Sequence, residues 1–213
     1  MMPTDLIVIG GGPGGYITAL RAAQLGAHVT LVEAEYLGGV CLNVGCIPTK
    51  ALLASAEVYH VVSRSAEFGV RAAKPEADWP AMQARKADVV AKLVGGVRML
   101  LGRAGVDVVE GHAHLSGPGT VAVDGAGGMQ TWAAPRIVIA TGSSPLTLPI
   151  AGADLPGVLD STGALALEAL PASLLVVGGG AVGLEFATLF ATLGSQVTVV
   201  EMLPRLAPLA DAD

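Results

Sequence analysis

Two stretches of the chain repeat the same order of apolar and polar positions. Each begins with a short apolar run, passes through a glycine-rich turn into a segment with helical apolar spacing, and ends in a second apolar run closed by glutamate. Residues 6–33 and 174–201 agree without gaps at 14 of 28 positions, at an offset of 168 residues. This order predicts a strand, a helix and a second, parallel strand. We therefore expect an α/β fold with two βαβ units.

The glycine turns of the two copies fit the binding of dinucleotide phosphates. The pattern GxGxxG occurs at Gly10, Gly12 and Gly15 and again at Gly178, Gly180 and Gly183. Its glycines allow a tight turn, close approach of a pyrophosphate to the backbone, and close packing of the helix on the strand. Glu33 and Glu201 each follow the last glycine by 18 residues, where a carboxylate can accept hydrogen bonds from an adenosine ribose. The alternative is a chance pair of glycine turns in an ordinary α/β protein.

The region between the two copies predicts first helices, then short strands, and then a connecting segment. Residues 51–64 and Trp79–Arg103 predict helices, the first ending near Gly69. Short β-like runs follow at 106–109, 113–115 and 120–123, separated by glycine-rich turns, and predict a small β-meander. Residues 144–157 predict a connection into a second domain, which gives domains 1–146 and 147–213.

The only two cysteines of the chain, Cys41 and Cys46, lie five positions apart in the run GGVCLNVGCIPTK. Five residues of unbroken helix rise about 7.5 Å, beyond the roughly 4.4–6.8 Å usual between bridged Cα atoms. A disulfide here therefore requires a break in the helix, and Pro48 suits the first turn of a helix that restarts. A strained, exposed bridge is labile, as a catalytic disulfide must be. Lys50 lies one turn after Cys46, where its charge favours the thiolate.

Two other interpretations of the cysteines are open. They could be unrelated buried thiols, or half of a metal site. The metal interpretation is the weaker one, because no histidine has a ligand spacing to either cysteine; the histidines are His28, His60, His112 and His114. We expect no metal site, and we expect His112 and His114 to be strand residues rather than catalysts.

The cysteine run and the two glycine loops resemble the FAD- and NAD(P)-dependent disulfide reductases, and within them the dihydrolipoamide dehydrogenases. The run 140–143 (ATGS) is similar to the segment that closes their FAD domain, and 178–185 (GGGAVGLE) to their NAD loop. The resemblance covers the whole chain. It implies two Rossmann-like, three-layer units with a β-meander: a FAD-binding domain with a redox disulfide at 1–146 and the start of an NAD-binding domain at 147–213.

The resemblance also implies a set of site residues. The catalytic ones are Cys41, Cys46, Lys50 and Glu185. The FAD site comprises Gly10, Gly12, Pro13, Gly14, Gly15, Glu33, Gly39, Val40, Cys41, Lys50, Ala113, Thr141, Gly142 and Ser143. The NAD site comprises Gly178, Gly180, Ala181, Val182, Gly183 and Glu201. Cys41 would exchange with substrate, Cys46 would lie against the flavin, and Lys50 would sit by the flavin and pair with Glu185.

The implied reaction oxidises dihydrolipoamide through a Cys41–Cys46 disulfide and FAD and passes a hydride to NAD⁺. The implied partners are lipoyl domains of 2-oxoacid dehydrogenase or glycine cleavage complexes, with a homodimer as the complete enzyme. Glu201 disfavours NADPH, because a carboxylate repels a 2′-phosphate. Mercuric and glutathione reductases share the cysteine spacing and stay as alternatives, as does a non-catalytic flavin-binding fragment. Members of this family continue well beyond residue 213, so we expect an incomplete second unit and an inactive isolated chain.

Composition narrows the choice of partners and compartment. With 18 acidic and 12 basic residues the net charge is −6, which argues against nucleic acid. The best membrane span is 174–193, but Glu185 would lie near the bilayer centre and the glycine loop fits a βαβ unit better. Asp5 and the lack of a basic residue before the first apolar run argue against a secretory signal. A cytoplasmic protein off the membrane is expected.

Overall fold

The computed structural model describes residues 4–211, which form nine strands and six α-helices. The strands are β1 Leu6–Ile9, β2 Val29–Glu33, β3 Asp107–Glu110, β4 His112–Gly117, β5 Thr120–Gly125, β6 Gly128–Ala133, β7 Ile137–Ile139, β8 Ser173–Val177 and β9 Gln196–Val200. The helices are α1 Pro13–Gln24, α2 Gly39–Asn43, α3 Cys46–Ser63, α4 Trp79–Arg103, α5 Ser161–Leu165 and α6 Ala181–Thr192, with a 3-10 turn at Ser65–Phe68.

The chain divides into two compact units. The first comprises the residues up to Cys46 together with Val90–Leu146, and the second comprises Ile47–Val89 together with the chain from Thr147 onward. The sequence placed all of 1–146 in one domain, whereas the structure groups 47–89 with the later residues. The reason is packing, because Leu52 of α3 and Trp79 of α4 share a buried core with Phe190 of α6.

A parallel sheet in the order β3-β2-β1-β7 forms the centre of the first unit. Helix α1 makes the crossover from β1 to β2, as the first sequence repeat predicts. Ile7, Val8 and Leu31 are fully buried, as expected for strands covered on both faces. The run 106–109, predicted as part of the meander, instead provides β3, which pairs in parallel with β2. This pairing follows from the long helical crossover through α4, because parallel neighbours cannot be joined by a tight turn.

The meander is a three-stranded antiparallel sheet in the order β4-β5-β6. Val121 and Val123 on β5 are buried and pack with Ile7, Ile9 and Val32 of the parallel sheet. The third strand, β6, was not predicted. Its residues are largely exposed, and its sequence lacks the alternation of apolar and polar positions that marks a half-buried strand.

The second unit contains the second copy of the repeat. Strands β8 and β9 pair in parallel and α6 connects them. Helices α1 and α6 begin and end at equivalent positions of the two copies, 13 with 181 and 24 with 192. The segment 174–193, weighed above as a membrane span, is thus a strand followed by a separate helix.

One stretch of the described residues, Gly39–Ser63, is long and apolar enough to cross a membrane by length and composition. It holds α2 and α3, which are interrupted at Val44 and Gly45. Core helices of soluble proteins pass the same test, so this property alone is weak support for a membrane span.

Candidate functional site

The first glycine loop connects β1 to α1 and has the geometry of a phosphate-binding turn. Gly10 has φ +102°, which disfavours any side chain. A Cβ on Gly15 would overlap the carbonyl oxygen of Gly10, so this position holds the helix tightly against the strand end. Gly12 is the N-cap of α1 and carries no side chain, and Pro13 follows in the first helical position. The first N–H groups of α1 therefore face the loop, where the helix dipole favours an anion.

A cavity of about 700 Å³ lies beside this loop within the first unit. The predicted site residues that line it are Gly10, Gly12, Pro13, Gly14, Glu33, Gly39, Val40, Cys41, Cys46, Ala113, Thr141, Gly142 and Ser143. Gly15 lies behind the cavity, buried under the loop, and Lys50 is not among the lining residues. The structure thus brings the glycine loop, the strand-end glutamate and both cysteines to one cavity.

Several lining residues were missed by sequence reasoning. They are Ile9, Val32, Ala34, Glu35, Tyr36, Gly111, His112 and Ala140. Most follow the carboxyl ends of parallel strands, where α/β sheets bind ligands. That rule applied to the predicted β2 would have found Ala34, Glu35 and Tyr36, whereas the residues after β3 and β7 needed the structure. Partial burial and the nearby Glu35 and Glu33 carboxylates raise the pKa of Tyr36, so its phenol stays protonated and able to donate.

The cysteine segment contains the predicted break. Helix α2 ends at Asn43 and α3 begins at Cys46. The Asn43 side chain fastens the segment by donating to the Leu37 and Gly39 carbonyls at 3.0 and 2.9 Å. Cys41 is half-buried and Cys46 is exposed at the start of α3.

Lys50 and Glu185 form an ion pair within the second unit, with the Lys50 ammonium donating to Glu185 Oε1. Glu185 lies in the second turn of α6, rather than in the glycine loop that precedes it. The side chains are 58% and 33% exposed. Pairs this exposed add little stability, so the contact is better explained by orientation of the lysine.

The second glycine loop repeats the first in detail. Gly178 has φ +110°, Gly180 is the N-cap of α6, and a Cβ on Gly183 would overlap the Gly178 carbonyl oxygen. Ala181 and Val182 form the start of α6. The Glu201 carboxylate accepts hydrogen bonds from the backbone of Leu203 and Gly179, which lowers its pKa.

A comparison with protein families decides the assignment. The sequence profile described as "Pyridine nucleotide-disulphide oxidoreductase" matches residues 4–213. The chain belongs to this family. The membership confirms the resemblance drawn from the cysteine run and the glycine loops.

Individual members of the pyridine nucleotide-disulphide oxidoreductase family are closely similar in sequence. A dihydrolipoyl dehydrogenase of Bacillus subtilis is 45% identical over 210 residues, covering 98% of this chain and 46% of that protein. One of Thermus scotoductus is 48% identical over 215 residues, covering 100% and 45%. The chain thus spans less than half the length of these relatives.

A solved structure of the same class confirms the fold. The Cu(II) complex of the HOCl-induced flavoprotein disulfide reductase RclA from Escherichia coli superposes with a TM-score of 0.85 at 33% identity, covering 99% of this chain and 45% of that one. The α/β class with Rossmann-type units is therefore correct.

Proposed function

We propose that the chain supplies the FAD-binding and redox-disulfide part of a dihydrolipoyl dehydrogenase. The observation that carries the proposal is the single cavity shared by the first glycine loop and both cysteines. A dinucleotide fits this cavity, because Gly12 and Gly39 approach so closely that a Cβ on Gly39 would lie 2.6 Å from the Gly12 Cα, leaving bare backbone at the start of α1. Bound FAD would supply an acceptor for the electron pair of the thiols.

The chemistry of the chain's own residues is thiol–disulfide exchange. A thiolate of dihydrolipoamide attacks Cys41 Sγ of the oxidised pair, and Cys46 leaves as a thiolate. The second substrate thiol then displaces Cys41, so lipoamide gains a disulfide and the cysteines become a dithiol. Cys46 leaves from the first residue of α3, where it is exposed. Lys50 lies on the same helix, with its ammonium paired to the Glu185 carboxylate.

The remaining parts of the proposal follow from the relatives. NAD⁺ would bind at the second glycine loop through Gly178, Gly180, Ala181, Val182, Gly183 and Glu201. Lipoyl domains of 2-oxoacid dehydrogenase or glycine cleavage complexes would be the partners, the complete enzyme would be a homodimer, and the compartment would be the cytoplasm. The two relatives are dihydrolipoyl dehydrogenases, which supports the substrate class.

The first test uses the 213-residue chain itself. We expect it to bind FAD but to show no NAD⁺-dependent oxidation of dihydrolipoamide, because the second dinucleotide unit contains one βαβ unit where a mononucleotide half needs two crossovers. Flavin absorbance after gel filtration measures binding, and NADH formation at 340 nm measures turnover. Loss of all flavin on gel filtration would contradict the proposed FAD site, and sustained NADH formation would contradict the proposed inactivity.

A second test concerns the choice of nicotinamide cofactor in a full-length protein that carries this segment. Glu201→Gln and Glu201→Arg should weaken the use of NAD⁺ and relieve the repulsion of NADP⁺, shifting the ratio of kcat/KM by on the order of tenfold. Glu33→Gln is the matched control, since it makes the same change in the other copy and should leave that ratio unchanged. If the ratio of kcat/KM for NAD⁺ and NADP⁺ did not change in either Glu201 variant, other residues would select the cofactor.

A different flavoprotein disulfide reductase is the second candidate. The RclA likeness favours it, but the sequence identity of that protein is 33%, against 45% and 48% for the two dihydrolipoyl dehydrogenases. Assays of lipoamide against other disulfide substrates in the full-length protein distinguish the two.

A further inference from the structure

The two repeats continue past the glutamate that ends the sequence match. In the first unit Glu33 Oε2 accepts from the Gly11 N–H at 2.5 Å and Oε1 from the Glu35 N–H at 2.8 Å. In the second, Glu201 Oε2 accepts from the Gly179 N–H at 2.6 Å and Oε1 from the Leu203 N–H at 2.8 Å. Each carboxylate is therefore held by two backbone N–H groups, one on each oxygen.

A backbone hydrogen bond also joins each glycine loop to the segment that follows the second strand of its repeat. The Gly38 N–H donates to the Gly11 carbonyl at 2.9 Å, and the Ala207 N–H donates to the Gly179 carbonyl at 2.8 Å. Both donors have positive φ, +94° at Gly38 and +47° at Ala207. A non-glycine residue rarely adopts this conformation. The second copy therefore keeps this backbone hydrogen bond, although Ala207 must adopt a conformation that favours glycine.

Leucine side chains complete the enclosure of the middle glycines. A Cβ on Gly11 would lie 2.9 Å from Glu33 Oε2 and 3.0 Å from Leu37 Cδ1. A Cβ on Gly179 would lie 2.6 Å from Leu206 Cδ2 and 3.2 Å from Glu201 Oε2. Neither glycine has a positive φ. The small size of Gly11 therefore matters most, because Leu37 is 4% exposed and cannot yield, whereas Leu206 is 52% exposed and its side-chain tip can shift.

We propose that these contacts form a loop clasp that aims the strand-end carboxylate at the ribose before a nucleotide binds. The clasp consists of Gly11, Glu33, Leu37 and Gly38 in the first unit and of Gly179, Glu201, Leu206 and Ala207 in the second. A carboxylate offers about four lone-pair directions, and the clasp occupies one on each oxygen. The others stay available for the ribose hydroxyls, and a pre-fixed acceptor binds without the cost of ordering it.

The proposal makes Gly11 and Gly179 positioning residues, and it rests on the proposed nucleotide sites. The lowered pKa of Glu201 agrees with it, because the N–H groups stabilise the charged form. A lowered carboxyl pKa means that the folded chain holds fewer protons than the unfolded chain. The clasp at Glu201 therefore stabilises the fold above the ordinary glutamate pKa, and this contribution is lost as the pH falls through the lowered value.

The test uses the 213-residue chain and three variants: Gly179→Ala, the double variant Gly179→Ala with Leu206→Ala, and Gly102→Ala. Leu206→Ala removes the atom that the new Cβ would strike. Gly102→Ala is the matched control, because nothing lies within 4 Å of a Cβ at that position. One measurement needs no ligand: the NMR pH titration of the amide protons of residues 179 and 203. The other compares the affinities for ADP-ribose and its 2′-phosphate analogue in a full-length protein that carries this segment and the same substitutions.

In the wild-type chain both amides should shift with the Glu201 carboxyl, at a midpoint below the ordinary glutamate range. Gly179→Ala should weaken the coupling of residue 179, because its Cβ would also lie 3.2 Å from Glu201 Oε2, and should reduce the preference for ADP-ribose severalfold. The double variant should restore part of both, since only the Leu206 contact is relieved, and Gly102→Ala should change neither. A purely structural role would weaken the two ligands equally.

The possible outcomes distinguish a failure of the loop clasp from a failure of the proposed NAD site. Wild-type amides that ignore the Glu201 titration would overturn the clasp, as would a Gly179→Ala chain that keeps its ligand preference. Coupled amides in the wild-type chain, together with a full-length protein that binds neither ligand, would uphold the carboxylate contacts and overturn the proposed NAD site.

Discussion

A FAD-loaded Cys46→Ser variant should lose the long-wavelength thiolate-to-flavin absorbance that we expect from the reduced wild-type chain. Cys46 lines the same cavity as the first glycine loop and is exposed at the start of α3. Serine keeps the shape of the side chain but provides no thiolate. In a full-length protein that carries this segment, the same change should lower lipoamide turnover on the order of 1,000-fold or more, because no cysteine pair can form.

The companion variant Cys41→Ser gives the matched control. It should show the band even at rest, since Cys46 stays a thiolate, and yet lose turnover because the exchanging sulfur is gone. Absorbance against pH in both variants separates the two sulfurs. A band that survives in Cys46→Ser and vanishes in Cys41→Ser would reverse their roles.

Lys50→Ala tests how much of this effect comes from the lysine. The Lys50 ammonium is already bound to the Glu185 carboxylate, which offsets much of its charge. We therefore expect little change in the intensity of the band at neutral pH, and loss of the band in Lys50→Ala would contradict this expectation. The rate of alkylation of Cys46 by iodoacetamide measures the thiolate without a flavin.

The parts of the fold governed by local sequence could be predicted. The βαβ units follow from apolar runs around glycine turns, and the bounds of α4 follow from its helical spacing. The helix break between the cysteines follows from their separation if they form a disulfide, since five residues of intact helix place their Cα atoms too far apart to bridge.

The parts of the fold that depend on contacts between distant residues could not be predicted from the sequence. The sequence of β3 suits either a meander or a parallel sheet, and only its pairing with β2 decides. Residues 47–89 group with the second unit because Leu52 and Trp79 meet Phe190, which is far away in the chain. Gly11 and Gly179 occupy variable positions of the GxGxxG pattern. The reason why these positions hold glycine is seen only in the structure, where a glutamate and a leucine lie against each of them.

The last prediction concerns Gly15, a glycine that no side chain can replace without moving backbone atoms. A Cβ at this position would overlap the Gly10 carbonyl oxygen and lie 2.9 Å from the Gly10 carbonyl carbon. These are backbone atoms of the strand-to-helix turn, so they cannot rotate away as a side chain would. Overpacking in rigid surroundings costs about 1–3 kcal/mol or more, and here we expect Gly15→Ala to reach or exceed about 3 kcal/mol and to abolish FAD retention.

Two matched variants give this prediction its controls. Gly183→Ala makes the same collision with the Gly178 carbonyl in the second unit, so it should lower stability but leave FAD bound to the first unit. Gly102→Ala adds a Cβ in open space on α4 and should stabilise the chain by up to about 1 kcal/mol through helix propensity. Urea unfolding and retained flavin absorbance measure the three variants. If Gly15→Ala kept its flavin while Gly183→Ala lost it, the first glycine loop would not be the FAD site, because the collision that distorts a loop must affect the nucleotide bound there.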